Sequence, residues 1–210
     1  MSDELIHRLR LPKGQAEGAL VLLHGRGADE NDLLGVFDML DPDHRLLCLS
    51  PRGPLTLPPG GAHWYVVKRV GYPDPDTFQP TYDRLTGWLD GFLAQHEIPM
   101  DKTVIGGFSQ GAVMSYAVSL GKGRPTPAAI VALSGFIPTV DGFEIDLSKA
   151  AGLPVAIGHG TFDPVITVDF GKDARNKLEG AGANVLYKES PMAHTIDPEF
   201  VAQVKDWLPV

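Results

Sequence analysis

Short apolar runs recur through the chain at Ala19–Leu23, Leu46–Leu49, Thr103–Ile105, Ile130–Leu133, Val155–Ile157 and Asn184–Tyr187, with longer amphipathic segments between them. Runs that are apolar on both faces read as strands of a parallel sheet covered on both sides. Helices are predicted near 31–41, 80–97, 110–121, 168–181 and 197–208. The 80–97 segment places Leu85, Trp88, Leu89, Phe92 and Leu93 on one face at helical spacing. Strand–helix–strand repetition of this kind predicts an α/β fold, a mostly parallel central sheet with helices on both faces and right-handed crossovers. A length of 210 residues suits one domain, expected to span 1–210. The stretch between Ser134 and Pro154 is too short for a separate cap domain.

One segment breaks the alternation. Residues 51–80 are punctuated by prolines at 51, 54, 58, 59, 73, 75 and 80 and read as a long irregular connection. Such connections are usually functional or mobile. This one, which contains Trp64 and Tyr65, is expected to wall a site; a packed surface loop with a core Trp is the alternative.

Composition narrows the partners. A formal charge of −8 with a pI near 5.3 argues against a nucleic-acid partner, which would need a basic stripe. No apolar run approaches the ~18 residues of a membrane span, and Met1-Ser2-Asp3-Glu4 lacks the basic-then-apolar order of a signal peptide. A lone cysteine, Cys48, cannot form an internal disulfide and fits a reducing compartment, so a cytoplasmic location is expected. Cys48 lies in a strand run and reads as a buried core residue. No phosphate-loop or dinucleotide spacing and no zinc-ligand spacing is present, so neither cofactor nor metal is expected.

The chemistry concentrates at Gly107-Phe108-Ser109-Gln110-Gly111, a Gly-x-Ser-x-Gly pentapeptide. An apolar strand run leads in and a stretch free of Pro, Gln110–Leu120, leads out. That context is the strand-to-helix turn that lifts a serine oxygen above the carboxyl edge of a sheet. A serine hydroxyl needs a base, and the base an orienting acid, in the chain order Ser, Asp or Glu, His. Only His159 and His194 follow Ser109. His194 lies in a loop beyond a strand's carboxyl end, where catalytic residues of open sheets gather; His159 terminates a strand and is the weaker candidate base. Asp163 follows that same strand and precedes His194, with Asp141, Glu144 and Asp146 as rivals in the preceding connection. Two N–H donors for a developing oxyanion are expected at Gln110 and, from the early loop His24-Gly25-Arg26-Gly27, at Arg26. His24 reads as a hydrogen-bonded histidine that shapes this loop.

The segments LHGRGAD (23–29), SPRGP (50–54), HWY (63–65), GGFSQGAVMS (106–115), ALSGFIP (132–138), HGTFDPVI (159–166) and MAHTID (192–197) together resemble the phospholipase/carboxylesterase family of α/β-hydrolases, which includes the acyl-protein thioesterases. The resemblance runs from about residue 15 to 208. It implies the α/β-hydrolase fold, nucleophile Ser109, acid Asp163, base His194 and oxyanion donors Arg26 and Gln110. It further implies that Trp64 and Phe136 line the acyl or alcohol pocket, with Val165 nearby. The thioesterase members usually carry Leu where Arg26 stands and Trp where Phe136 stands, departures that point away from long-chain protein deacylation.

The expected activity is a serine carboxylesterase acting on short-to-medium acyl esters through an acyl-enzyme. A thioesterase or lysophospholipase with the same triad is the alternative, and a catalytically silent hydrolase-fold binding protein the alternative of another class. The expected partner is a small-molecule ester, with a homodimer as the candidate assembly.

Overall fold

The computed structural model describes residues 4–210. In chain order its elements are β1 (His7–Arg10), β2 (Ala19–Leu23), α1 (Leu34–Leu40), β3 (Leu47–Pro51), β4 (Leu55–Leu57), β5 (Gly61–His63), β6 (Val67–Arg69), β7 (Tyr72–Pro73), α2 (Pro75–Gln95), β8 (Thr103–Phe108), α3 (Gln110–Leu120), β9 (Ala129–Leu133), β10 (Pro154–Gly160), α4 (Val168–Gly180), β11 (Asn184–Ser190) and α5 (Pro198–Trp207).

Seven strands form one sheet in the order β1-β3-β2-β8-β9-β10-β11. All neighbours are parallel except β1, which runs antiparallel along β3 with Leu9 opposite Leu49. The chain steps from β2 outward to β3 on one side, then returns to β8 on the other and continues outward. The carboxyl ends of β2 and β8 therefore flank the point where winding reverses, and an open α/β sheet leaves its ligand crevice there.

Both sheet faces are buried because consecutive side chains of a strand alternate between them. Leu20, Leu22, Val104 and Val131 pack on Phe37 and Leu40 of α1 and on Phe200, Val201 and Val204 of α5. Val21, Leu23 and Ile105 point the other way, against Phe78, Leu85 and Leu89 of α2 and Val113 and Met114 of α3. Ile130, Ala132, Val155 and Ile157 extend that second face under α3 and α4, where they meet Tyr116, Ala174 and Leu178. Every residue of α3 is buried, and among its few polar side chains Ser115 donates to the Gly111 carbonyl within the helix.

The element boundaries differ from the sequence reading in instructive places. β8, β10 and β11 each run three residues further, to Phe108, Gly160 and Ser190, because their ladders continue through glycines and polar residues that weaken a strand signal. α2 begins at Pro75 instead of 80. Pro75 at the first helical position has no N–H to lose, and Pro80 forgoes only a bond to the exposed Asp76. Residues 51–74, expected to be irregular, hold two antiparallel hairpins, β4–β5 and β6–β7. The connection from β9 to β10 carries no α-helix, only a 3-10 turn at Leu147–Ala150. Among the described residues no helix is long and apolar enough to cross a membrane.

Candidate active site

The turn between β8 and α3 puts Ser109 at φ 55°, ψ −119°, a left-handed backbone that a non-glycine residue adopts only under constraint. Its N–H donates to the Leu133 carbonyl at 2.8 Å, which ties the turn to β9. The glycines on either side are dictated by crowding. A Cβ on Gly107 would lie 2.5 Å from the Gly111 carbonyl carbon and 2.6 Å from the Leu23 oxygen. On Gly111 it would lie 1.8 Å from the Leu23 oxygen. The elbow thus folds back on the end of β2, and only residues without a side chain permit that approach.

Ser109 Oγ lies 2.8 Å from His194 Nε2, and His194 Nδ1 lies 2.6 Å from Asp163 Oδ2. The second carboxylate oxygen of Asp163 accepts the N–H groups of Val165 (2.8 Å) and Ile166 (2.9 Å). An ionised carboxylate accepts only, so Nδ1 donates to it and Nε2 is left to accept the serine proton. The Asp163 side chain is fully buried, while that of His194 is 17% exposed. The imidazole also packs on Phe108, ring centroids 4.8 Å apart. Its loop is closed at the base by Ser190, whose hydroxyl bonds Asp197, the N-cap of α5. Hydrogen bonds from Ser190, Lys188 and the helix N-terminus outweigh the cost of burying Asp197 and hold its carboxyl down at about 2.

The rival acids lie elsewhere. Glu144 pairs with Lys122, Asp146 caps the 3-10 turn through Ser148, and Asp141 is exposed beside a separate depression. His159 is buried behind Asp163: its Nε2 donates to the Ile166 carbonyl at 2.8 Å and Nδ1 has no partner. It packs against Gly171 and does not reach Ser109.

Across the crevice the Arg26 loop is tied to β5. The Gly27 N–H donates to the Ala62 carbonyl and the Ala62 N–H to Ala28, both at 2.8 Å. Gln110 is the first residue of α3, so its N–H has no acceptor within the helix. Its side chain bridges in the other direction, accepting from the Trp64 N–H (2.9 Å) and donating to the Tyr65 carbonyl (2.7 Å). His24 shapes the loop as a neutral ring, with Nδ1 donating to the Gly25 carbonyl at 2.7 Å and Nε2 accepting from the Gly53 N–H at 2.9 Å.

A cavity of about 340 Å³ opens at Ser109, lined by Arg26 and Gln110, by Phe136, Val165 and Ile166, and by Tyr65, Val67, Arg69 and Val70. Phe136 and Val165 line it. Trp64 does not: it is fully buried in the core beneath, and its indole N–H donates to the His24 carbonyl at 2.8 Å. Tyr65, only 2% exposed, borders the cavity, its carbonyl accepting from Gln110, while Trp64 belongs wholly to the core. Val67, Arg69 and Val70 come from the β6–β7 hairpin, for which the sequence offers only the position of the prolines. Cys48 is buried as expected, its thiol pushed up to about 12 by burial, though it also meets Arg10 beside Asp41. Among the described residues no group of His, Cys, Asp and Glu is placed to hold a metal ion.

Burial lowers the pKa of both His24 and His159 below the ordinary histidine range. The unfolded chain therefore takes up protons below about pH 6.5 that the folded chain refuses, and stability falls as pH drops through that point. Urea unfolding is expected to show a loss of about 1–2 kcal/mol between pH 7 and pH 5.5. Equal midpoints at the two pH values would refute the neutral-histidine assignment.

Known proteins share the fold and the family over almost the whole chain. Acyl-protein thioesterase 1 of Candida albicans is 31% identical, over 95% of this chain and 95% of its own. That of Debaryomyces hansenii is 29% identical over 92% and 90%. The carboxylesterase of Bacillus cereus superposes with a TM-score of 0.82 at 24% identity, over 97% of this chain and 92% of its own. The phospholipase/carboxylesterase family matches residues 6–210. With its mostly parallel sheet, its helices on both faces and this match over almost all of its length, the chain belongs to the phospholipase/carboxylesterase family and is a hydrolase with the α/β-hydrolase fold.

Proposed function

We propose that the protein is a serine carboxylesterase in which Ser109, His194 and Asp163 form the catalytic triad. The observation that carries this is the continuous hydrogen-bonded chain from Asp163 through His194 to Ser109, with the serine opening into a cavity. In the first half-reaction His194 Nε2 takes the proton of Ser109 as Oγ attacks the ester carbonyl. Asp163 holds the ring in the tautomer this requires and stabilises the imidazolium. The N–H groups of Arg26 and Gln110 receive the oxyanion, each worth about 3–4 kcal/mol of barrier. His194 then returns the proton to the departing alcohol. Water activated by the same nitrogen hydrolyses the acyl-enzyme and restores Ser109.

A cavity of about 340 Å³ is at the small end of ligand sites, which supports short-to-medium acyl chains. The acyl-protein thioesterase relatives favour a second reading, the same triad acting on thioesters; rates on matched oxygen and sulfur esters over a chain-length series separate the two. The buried, unpaired Cys48 suits a reducing compartment, and we place the enzyme in the cytoplasm on that ground.

The direct test is a fluorophosphonate probe followed by peptide mass spectrometry. Stoichiometric adduct at Ser109, lost in His194→Ala, is the expected result. A folded protein that takes no label would mean that the serine is not activated, and a silent binding protein would become the better reading.

A further inference from the structure

Two arginines line the cavity, and they differ from the rest of their kind. Every other arginine reaches an oxygen of the described residues: Arg52 pairs with Glu30 and Arg124 with Asp90, for example, and Arg84 donates to the Glu4 carbonyl. Arg26 and Arg69 are exposed and have no such partner among the described residues. Arg69 is nevertheless held in place, its guanidinium stacked 3.7 Å from the centroid of the Tyr72 ring. Stacking uses the face of the group and leaves its N–H edge free to bind.

The lining contains no Asp or Glu, although the chain as a whole carries 26 acidic residues against 18 Lys and Arg. Arg69 also borders a neighbouring depression with Asp74 and Asp141, but Asp74 is already engaged by Lys68. The remainder of the cavity wall is largely apolar, formed by Tyr65, Val67, Val70, Phe136, Val165 and Ile166. A neutral ester would use that wall and leave two cations unanswered. An ester with a carboxylate would fill the apolar part and place its charge between them, in the bidentate geometry arginine offers. We infer that the substrate of this site is an ester carrying a carboxylate within a few bonds of the scissile carbonyl, held by Arg26 and Arg69. This rests on the esterase reading and names the substrate class it leaves open.

The test compares kcat/KM within two pairs of esters. One pair puts the charge in the acyl half: mono(4-nitrophenyl) adipate against 4-nitrophenyl 6-methylheptanoate, its uncharged isostere. The other puts it in the alcohol half: 4-(hexanoyloxy)benzoate against 4-acetylphenyl hexanoate. In at least one pair the charged ester is expected to be favoured about tenfold, the size of two partly exposed ion pairs. That preference should shrink between 0.05 and 0.5 M salt. It should fall to about threefold or less in Arg69→Gln, persist in Arg69→Lys and reverse in Arg69→Glu. Turnover of the neutral esters with no charged preference in either pair, or a preference that Arg69→Gln leaves intact, overturns the carboxylate inference and leaves the esterase reading standing. A folded enzyme that hydrolyses none of the four and takes no fluorophosphonate loses both.

Discussion

Replacing Ser109 with Ala is expected to lower kcat on a short 4-nitrophenyl ester by about 10⁴–10⁶-fold, with residual turnover no faster than the N–H donors and binding alone support. Because Ser109, His194 and Asp163 are joined in one hydrogen-bonded chain, they act as a unit. Ser109→Ala/His194→Ala should therefore be no slower than either single variant. Stability should barely change. Ser109 gives up one hydrogen bond at a site where His194 is already 17% exposed, a net loss of about 1 kcal/mol at most. A Ser109→Ala enzyme that keeps a tenth of its activity would remove the serine from the mechanism.

The second large effect is on folding. Gly111→Ala introduces a methyl group that must sit 1.8 Å from the Leu23 oxygen and 2.4 Å from its carbonyl carbon. Both are main-chain atoms at the end of β2, a strand hydrogen-bonded on each side in the middle of the sheet. Neither neighbour can retreat as a flexible side chain would. The expected loss is above about 4 kcal/mol, in the range reserved for gross steric conflict, and is measured as a collapse of the urea midpoint or of soluble yield. Gly91→Ala is the control: it lies within α2 with nothing within 4 Å of the new methyl. There the substitution should be neutral or stabilising by up to about 1 kcal/mol. If Gly111→Ala unfolds within 1 kcal/mol of the parent, the elbow does not pack on β2 as described.

How much of this was legible in the sequence depended on the range of the interaction. The runs that become β2, β3, β8, β9 and β10 were readable because burial on both faces demands near-continuous apolar residues. β1 was not. His7-Arg8-Leu9-Arg10 is an edge strand that buries little, and its pairing with β3 is a property of the partner. The start of α2 was written in Asp74-Pro75, a helix-entry signal masked by Pro80 five residues on. In the hairpins of 51–74, β4 and β5 are only three residues each, too short for a pattern to stand out, and β6 is exposed throughout.

The same division runs through the site. Sequence alone pointed to the elbow, since an apolar run, a serine between two glycines and a helix-like stretch follow one another within a dozen residues. It also determined which residues stood in the right chain order beyond it, Asp163 and His194 among them. Only the tertiary structure decided that their atoms meet at hydrogen-bond distance, because that depends on how β8, β10 and β11 are ordered across the sheet. It decided too that Tyr65 borders the cavity while Trp64 is buried under it, since the orientation is set by Gln110 and His24, 45 and 40 residues away in the chain. And it alone brought Arg26 and Arg69 into the lining of one cavity without carboxylates, because no local pattern records which charges long-range packing will leave without a partner among the described residues.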